Sequence, residues 1–240
     1  MSLPVAILAG GLATRLGTVT AAIPKALVDV AGRPFAEHQL EWLKDEGVTR
    51  VVFCVAHLGS MIADALGDGS RFGLTLEYVF DGAPLLGTAG ALKRALPVLG
   101  DSFYVLYGDS LLTCGLPPIE QYFRDSGRAG LMTVYRNDDR FDRSNVWFED
   151  GRLKRYDKVN RTPDMQHIDY GLGVLTERAL AMVPEGRPFD LATVYQRLVA
   201  DDDLVGFEVH ERFYEIGSPE GLEETRAFLA SRAARSNRTR

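Results

Sequence analysis

"VAILAGGLATRLGTVTAAIPKAL", from Val5 to Leu27, is the stretch that decides how this chain is read. Its apolar run stops at Gly10 and Gly11. A short continuous apolar run closed by turn residues reads as a buried strand. A glycine pair at a strand end permits a tight turn and close backbone approach. Amide N–H groups laid open there cradle an anion. Arg15 follows the glycines, and Lys25 comes directly after Pro24. An arginine offers a fork to phosphoryl oxygens and a lysine a point charge. Pro24 fixes the backbone just before Lys25. The glycine spacing is not the GxGxxG of a dinucleotide fold. Nor is it a Walker loop, whose lysine directly follows its last glycine. Two readings stay open on residues alone: a phosphate-binding loop after the first strand, or a surface turn with solvated cations.

Outward from this loop, strands and helices alternate. "PFAEHQLEWLKDEG" reads as a helix, with Phe35, Leu40 and Leu43 near one face and Gly47 as its stop. "RVVFCVA" is a continuous strand, "GSMIADALGDG" a short helix and glycine turn, and "LTLEYVF" an alternating strand. A helix follows in "GTAGALKRALPVLG". "SFYVLYGDS" is then a buried-type strand with Asp109 just past its end. This order argues for parallel α/β with right-handed crossovers. The second half is richer in strands. "GLMTVYR", "SNVWFEDGRLKRYDK" and "HIDYGLGVLT" read as strands, with "EDGR" as a hairpin turn. "PFDLATVYQRLVADDD" reads as a helix capped by Asp190. "LVGFEVHERFYEIGS" looks like a pair of short strands. "PEGLEETRAFLASRAA" is a terminal helix opened by Pro219.

The totals narrow the class. With 240 residues, 46% apolar, the chain is long enough for one sizeable core, so a single domain over 1–232 is expected, followed by a polar basic tail, 233–240. A net charge of -6 argues against a nucleic-acid binder but not against a phosphorylated small molecule held by a local cluster. Neither a signal peptide nor a membrane span is expected. Cys54 and Cys114 lack metal-ligand spacing and read as reduced, packed thiols, which fits a cytoplasmic protein. His38, His57, His167 and His210 do not make a zinc constellation, and no serine sits in GxSxG. Trp42 and Trp147 read as packing residues.

From Leu8 to Leu27 the chain resembles the signature of the sugar nucleotidyltransferases, roughly LAGGxGTRLxPLTxxxPKxL. Ala13 stands where that pattern has the glycine of GTR, and Gly17 where it has a proline. "PLLGTAGALKRAL", from Pro84 to Leu96, is similar to the family's PLGTAGAI segment with one extra leucine. "YGDS" at Tyr107–Ser110 resembles NGD, and "YDK" at Tyr156–Lys158 a glutamate–lysine pair. "YEIGSPEGL" at Tyr214–Leu222 resembles WxDIGTPxxL. The likeness covers nearly the whole chain. It implies a three-layer α/β/α fold with a mostly parallel, mixed central sheet, a Rossmann-like, GT-A-like arrangement. Its nucleotide-binding half would be about 1–115 and its sugar-binding half about 116–232.

The resemblance also assigns roles. Leu8, Gly10, Gly11, Thr14 and Gly108 would line the nucleotide cradle. Arg15 and Lys25 would hold the triphosphate, and Gly87 and Thr88 would face the base and ribose. Asp109 would bind catalytic Mg2+. Glu215, where many members have aspartate, would be the second metal carboxylate, directly or through water. Lys158 would hold the sugar phosphate, Asp157 the sugar hydroxyls, and Gly171 would let the sugar lie against the backbone. The implied reactants are a nucleoside triphosphate and a sugar 1-phosphate, with Arg15, Lys25, Asp109 and Lys158 as the catalytic set. Family members commonly form homodimers or larger assemblies.

Within the family, "PFAEHQLEWLKDEGV" is similar to the heptose 1-phosphate guanylyltransferases, in which YEIG is also common. This favours GTP. "LGDGSRFGL", Leu66 to Leu74, instead resembles the muramate 1-phosphate uridylyltransferases, which keeps UTP open, with dTTP behind it. A C-terminal left-handed β-helix, found in some relatives, is not expected at this length. A non-catalytic nucleotide-sugar sensor is the alternative of a different class. Retention of Arg15, Lys25, Asp109 and Lys158 together argues against it.

Overall fold

The computed structural model describes residues 2–11 and 23–236. Thr14 and Arg15, two of the expected nucleotide-binding residues, lie outside the described residues. The chain opens on β1 (Val5–Leu8), buried as the apolar run requires. A single 3-10 turn, Lys25–Leu27, follows Pro24, whose φ of -67° leads into it. Next come the small hairpin β2 (Asp29–Val30) and β3 (Arg33–Pro34), and α1 (Phe35–Asp45). Three units continue in alternation: β4 (Arg50–Val55) and α2 (Gly59–Leu66); β5 (Thr75–Phe80) and α3 (Gly87–Leu99); β6 (Ser102–Tyr107), β7 (Ser110–Leu111) and α4 (Leu116–Ser126).

The second half carries β8 (Gly130–Arg136), β9 (Val146–Glu149), β10 (Arg152–Tyr156) and β11 (His167–Thr176). At the β9–β10 turn Asp150 and Gly151 have φ of 51° and 72°. Two successive positive φ values are what a tight hairpin turn matched to strand twist demands. α5 (Leu191–Ala200) begins at Asp190, whose side chain accepts from Ala192 N at 2.9 Å, the cap expected from sequence. β12 (Leu204–Val209), β13 (Tyr214–Glu215) and α6 (Pro219–Ser236) complete the chain. α6 continues beyond residue 232, through the first residues of the expected tail.

Among the described residues the main sheet has nine strands, in the order β10-β9-β11-β6-β1-β4-β5, with β8 joined to β11 and β12 to β8. The strands from β6 to β5 are mutually parallel. β11 pairs antiparallel with β6, β8 and β9, and the β9–β10 hairpin extends that side. The expected mixed sheet is present, with every antiparallel pairing on the β11 side of β6. β12 and β13, adjacent in sequence, do not pair with each other. β12 runs parallel to β8, while β13 pairs antiparallel with β7.

Helices cover both faces. Val5 and Ile7 of β1, with Phe53 and Leu106, pack under α1, α2 and α4. Ala6, with Val52 and Val105, packs under α3 and α5. The period-two alternation of a strand thus feeds two cores. A third cluster, including Val30, Phe35, Leu111, Ile216 and Leu222, ties α6, the β2–β3 hairpin and the β7–β13 pair to the body. Cys54 and Cys114 are free and buried, as read. Among the described residues no helix is long and apolar enough to cross a membrane.

Candidate active site

The strand order reverses between β1 and β6: connections from β1 run one way through β4 and β5, then return to β6 on its other side. Open α/β sheets form a crevice at the C-terminal ends of the strands at such a point. Here a cleft of about 400 Å³ is lined by Gly10, Gly11, Lys25, Asp81, Thr88 and Asp109, among others.

Each group reaches the cleft for a local reason. Gly108 follows β6 so closely beside β1 that a Cβ would stand 2.6 Å from Leu8 O; its N–H donates to that same oxygen at 3.1 Å. Only glycine fits, and the turn brings Asp109 to the mouth. Gly10 and Gly11 differ. A Cβ on Gly10 would meet Ala56 Cβ at 3.1 Å, while one on Gly11 meets nothing within 4 Å among the described residues. The first glycine serves packing. The second leaves an open approach to the backbone.

Lys25 Nζ donates to Asp109 Oδ2 at 3.0 Å. Such a partly exposed pair is worth only about 0–1 kcal/mol, so a competing charge can separate it at little cost. β13 then places Glu215 beside this pair: Glu215 registers with Ser110, and Ile216 N donates to Asp109 O at 2.9 Å. Gly217 marks the centre of the arrangement. A Cβ there would stand 2.7 Å from Glu215 Oε2, 3.2 Å from Asp109 Oδ2 and 3.6 Å from Lys25 Nζ. Two carboxylates and an ammonium close around a space that even an alanine would fill.

Both Glu215 oxygens have work already. Oε2 accepts from Gly217 N and Ser218 N, and Oε1 from Ser218 Oγ, just ahead of α6. Asp109 is therefore the freer oxygen donor of the two. Among the described residues there is no cluster of three or more His, Cys, Asp or Glu able to hold a metal. Magnesium characteristically takes one or two carboxylates and completes its octahedron with waters and substrate phosphates. This donor set fits that habit. It does not fit a resident ion enclosed by protein alone.

Thr88 lines the cleft, but its hydroxyl donates to Asp190 Oδ1 at 3.1 Å and accepts from Leu191 N at 2.7 Å. Gly87, at φ +69°, lies against Phe189 O, which takes the Ala89 and Gly90 N–H groups. The start of α3 therefore presents surface to a ligand while its own first donors are satisfied.

The second half meets the cleft at Tyr107. Lys158 Nζ lies 5.2 Å from the Tyr107 ring centre and 5.8 Å from that of Tyr156. The hydroxyls of both tyrosines donate to Asp169 Oδ2, at 2.9 and 3.2 Å. Burial, then the neighbouring Asp169 charge, pushes both tyrosine hydroxyls well above the ordinary phenol range. They stay protonated donors. Gly171 sits where the β11 register shifts between Asp169 and Gly173. Its φ is +94°, and a Cβ would meet Ser110 Oγ at 2.8 Å.

Asp157 is differently used. Its Oδ1 accepts from Asn160 N and Val159 N, and its Oδ2 from Arg155 and the Asn160 amide. The two backbone donors draw its carboxyl down to about 2. Asp157 shapes the turn that carries Lys158, and the carboxylate beside Tyr107 is Asp169. Asp169 and Asp81 carry no expectation from the sequence, and Tyr107 enters it only as the first residue of YGDS. Asp81 was open to the same strand-end rule that found Asp109, since it directly follows β5. Its Oδ2 accepts from Leu86 N at 3.1 Å, while its Oδ1 is buried and, among the described residues, without a partner. Burial raises its carboxyl.

Residues 5–144 match the model of the nucleotidyl transferase family. The chain belongs to that family. It is 27% identical over 238 residues, 95% of this chain and 65% of that protein, to mannose-1-phosphate guanyltransferase 2 of Candida glabrata. It is 45% identical over 106 residues, 44% of this chain and 46% of the other, to N-acetylmuramate alpha-1-phosphate uridylyltransferase of Neisseria meningitidis. This nucleotidyl transferase chain thus spans just under two thirds of the length of the Candida relative. Its fold is shared with HddC from Yersinia pseudotuberculosis complexed with GMP-PN, at a TM-score of 0.75 and 23% identity, covering 95% of this chain and 100% of that one.

Proposed function

We propose that the chain transfers a nucleotidyl group from a nucleoside triphosphate, with GTP favoured, to a heptose or hexose 1-phosphate, giving an NDP-sugar and pyrophosphate. The observation that carries this reading is the convergence of Lys25, Asp109 and Glu215 around Gly217, at the mouth of a cleft whose other wall leads through Tyr107 to Lys158. One end suits a cation-bound triphosphate. The other offers a second ammonium for a second phosphate.

The reaction asks for positioning and charge rather than covalent help. An oxygen of the sugar phosphate attacks the α-phosphorus, the new P–O bond forms, and the bond to the β-phosphate oxygen breaks. No base is needed, because the attacking monoester is already largely ionised near pH 7. Mg2+ held at Asp109, with Glu215 near it, would supply Lewis-acid stabilisation of the phosphoryl charge. Lys25 turns from Asp109 to the triphosphate and offsets charge on the departing pyrophosphate. Lys158 holds the acceptor phosphate, and the Tyr107 ring beneath it sets the approach. Arg15 completes the triphosphate contacts in this reading.

A uridylyl or thymidylyl donor is the second reading. The 45% identity to the Neisseria uridylyltransferase, confined to 106 residues, supports it. The 27% identity to the Candida guanyltransferase extends over nearly the whole chain and supports GTP. Pyrophosphate release separates them, measured with and without magnesium across five nucleoside triphosphates and mannose, glucose, N-acetylmuramate and D-glycero-D-manno-heptose 1-phosphates. Signal in the GTP row is expected. Signal only with UTP or dTTP overturns the base assignment. Triphosphate binding without turnover in any cell would leave the nucleotide-sugar sensor.

A further inference from the structure

We propose that Gln39, on α1, is the positioning residue of the Asp109 turn; the inference rests on the reading of Asp109 as a cation-binding carboxylate. Gln39 is fully buried, on a helix whose other fully buried side chains include Phe35, Ala36, Leu40 and Leu43. An amide among them is costly unless its hydrogen bonds are made. Half of them are. Nε2 donates to Ser110 O at 2.8 Å and to Tyr107 O at 3.1 Å. Oε1 has no partner. Turning the amide over would set that oxygen against two carbonyl oxygens, so the donors face the turn.

Those two carbonyls bracket Gly108 and Asp109. Between them, Gly108 N is held by Leu8 O, and Asp109 O by Ile216 N. The short segment between β6 and β7 is therefore fixed by β1 from one side, β13 from another and α1 through a single side chain. A buried acceptor is left unpaired so that an amide donor can stand there. That trade has a purpose only if the path of residues 107–110 matters beyond packing. Asp109 is the residue whose direction that path sets.

The test uses Gln39→Met, which keeps length and apolar volume and removes both donors. Mn2+ binding to the full chain is titrated by electron paramagnetic resonance with the α,β-methylene analogues of GTP, UTP and dTTP. Magnesium activation of pyrophosphate release and thermal unfolding are followed alongside. Lost support of a metal ligand typically weakens affinity about 10- to 100-fold. We expect a loss of that size, a matching rightward shift of the magnesium activation curve, and metal-free analogue binding as in wild type. Should the variant not fold, Gln39→Asn draws the amide back by one methylene and serves the same measurement. Wild-type Mn2+ affinity in a folded variant overturns the proposal, whatever the melting temperature does. Absence of Mn2+ binding in the wild type with every analogue would sink the cation reading of Asp109 itself, a failure distinct from that of Gln39.

Discussion

On the parallel side of the sheet, Gly10, Asp81 and Asp109 each follow a strand end, and the helices of α1 and α3 pass back over opposite faces. On the antiparallel side, Lys158 and Asp169 come from a turn after a hairpin and from a register shift inside a long strand. A parallel sheet gathers its strand ends at one edge, so position in the chain alone aims a residue at the crevice. An antiparallel sheet alternates its ends, and a side chain reaches the same crevice only through a local irregularity. The two sides therefore fail differently when altered.

The largest effect is expected where the parallel side carries the charge chemistry. Asp109→Asn should keep the Ile216 N contact, which uses the backbone carbonyl, and so keep the fold. Turnover should fall at least about a hundredfold, ~2.7 kcal/mol of transition-state stabilisation. Steady-state pyrophosphate release at saturating magnesium measures it. Near-normal activity would remove Asp109 from the chemistry and leave its ion pair with Lys25 as a surface contact.

Next in size is a reciprocal pair. Lys25→Met should raise KM for the triphosphate about tenfold or more and leave KM for the sugar phosphate nearly unchanged. Lys158→Met should do the reverse. Lys25→Met has a second signature, because it frees Asp109: binding of Mn2+ without nucleotide should tighten. Equal effects of both substitutions on both KM values would break the division of the cleft into a triphosphate end and an acceptor end.

The parallel and antiparallel sides also differ in what the sequence discloses. The apolar run into Gly10, the Asp109 strand end and the Asp190 cap are local signals, legible because neighbouring residues create them. The convergence at Gly217 is not local. It joins Lys25, Asp109 and Glu215 through the pairing of β13 with β7, and only the family resemblance brought those residues into one argument. Asp157 and Asp169 show the limit of that route. Motif position favoured Asp157, yet two backbone N–H groups use its Oδ1, while Asp169 lies in an apparently ordinary strand segment whose register shift no composition announces. "LVGFEVHERFYEIGS" does hold two short strands, as expected, but their partners, β8 and β7, are distant in the chain and no local signal names them.

Gly171→Ala probes that register shift. At φ +94°, with Ser110 Oγ 2.8 Å from the new methyl group, the backbone must move or Ser110 must turn. A cost of about 1–3 kcal/mol in denaturant unfolding is expected. The accompanying kinetic change should fall on the sugar phosphate. A change confined to triphosphate KM would place Gly171 on the wrong side of the comparison.

The smallest effect tests a cost borne by the parallel side. Asp81 is buried at the cleft wall, and burial raises its carboxyl above the ordinary value. A carboxyl raised in the folded state favours the neutral form there. Its ionisation therefore costs stability as pH climbs through the unfolded-state value, about 3.9, and past the folded one. Asp81→Asn supplies a permanently neutral group that still accepts from Leu86 N. The variant should melt slightly higher than wild type at pH 7, and the difference should shrink toward zero as the pH is lowered below 4. A lower melting temperature at pH 7 would mean that the charged form has a partner in solution that the buried Oδ1 lacks here, and that this strand end, like that of Asp109, is held by charge rather than burdened by it.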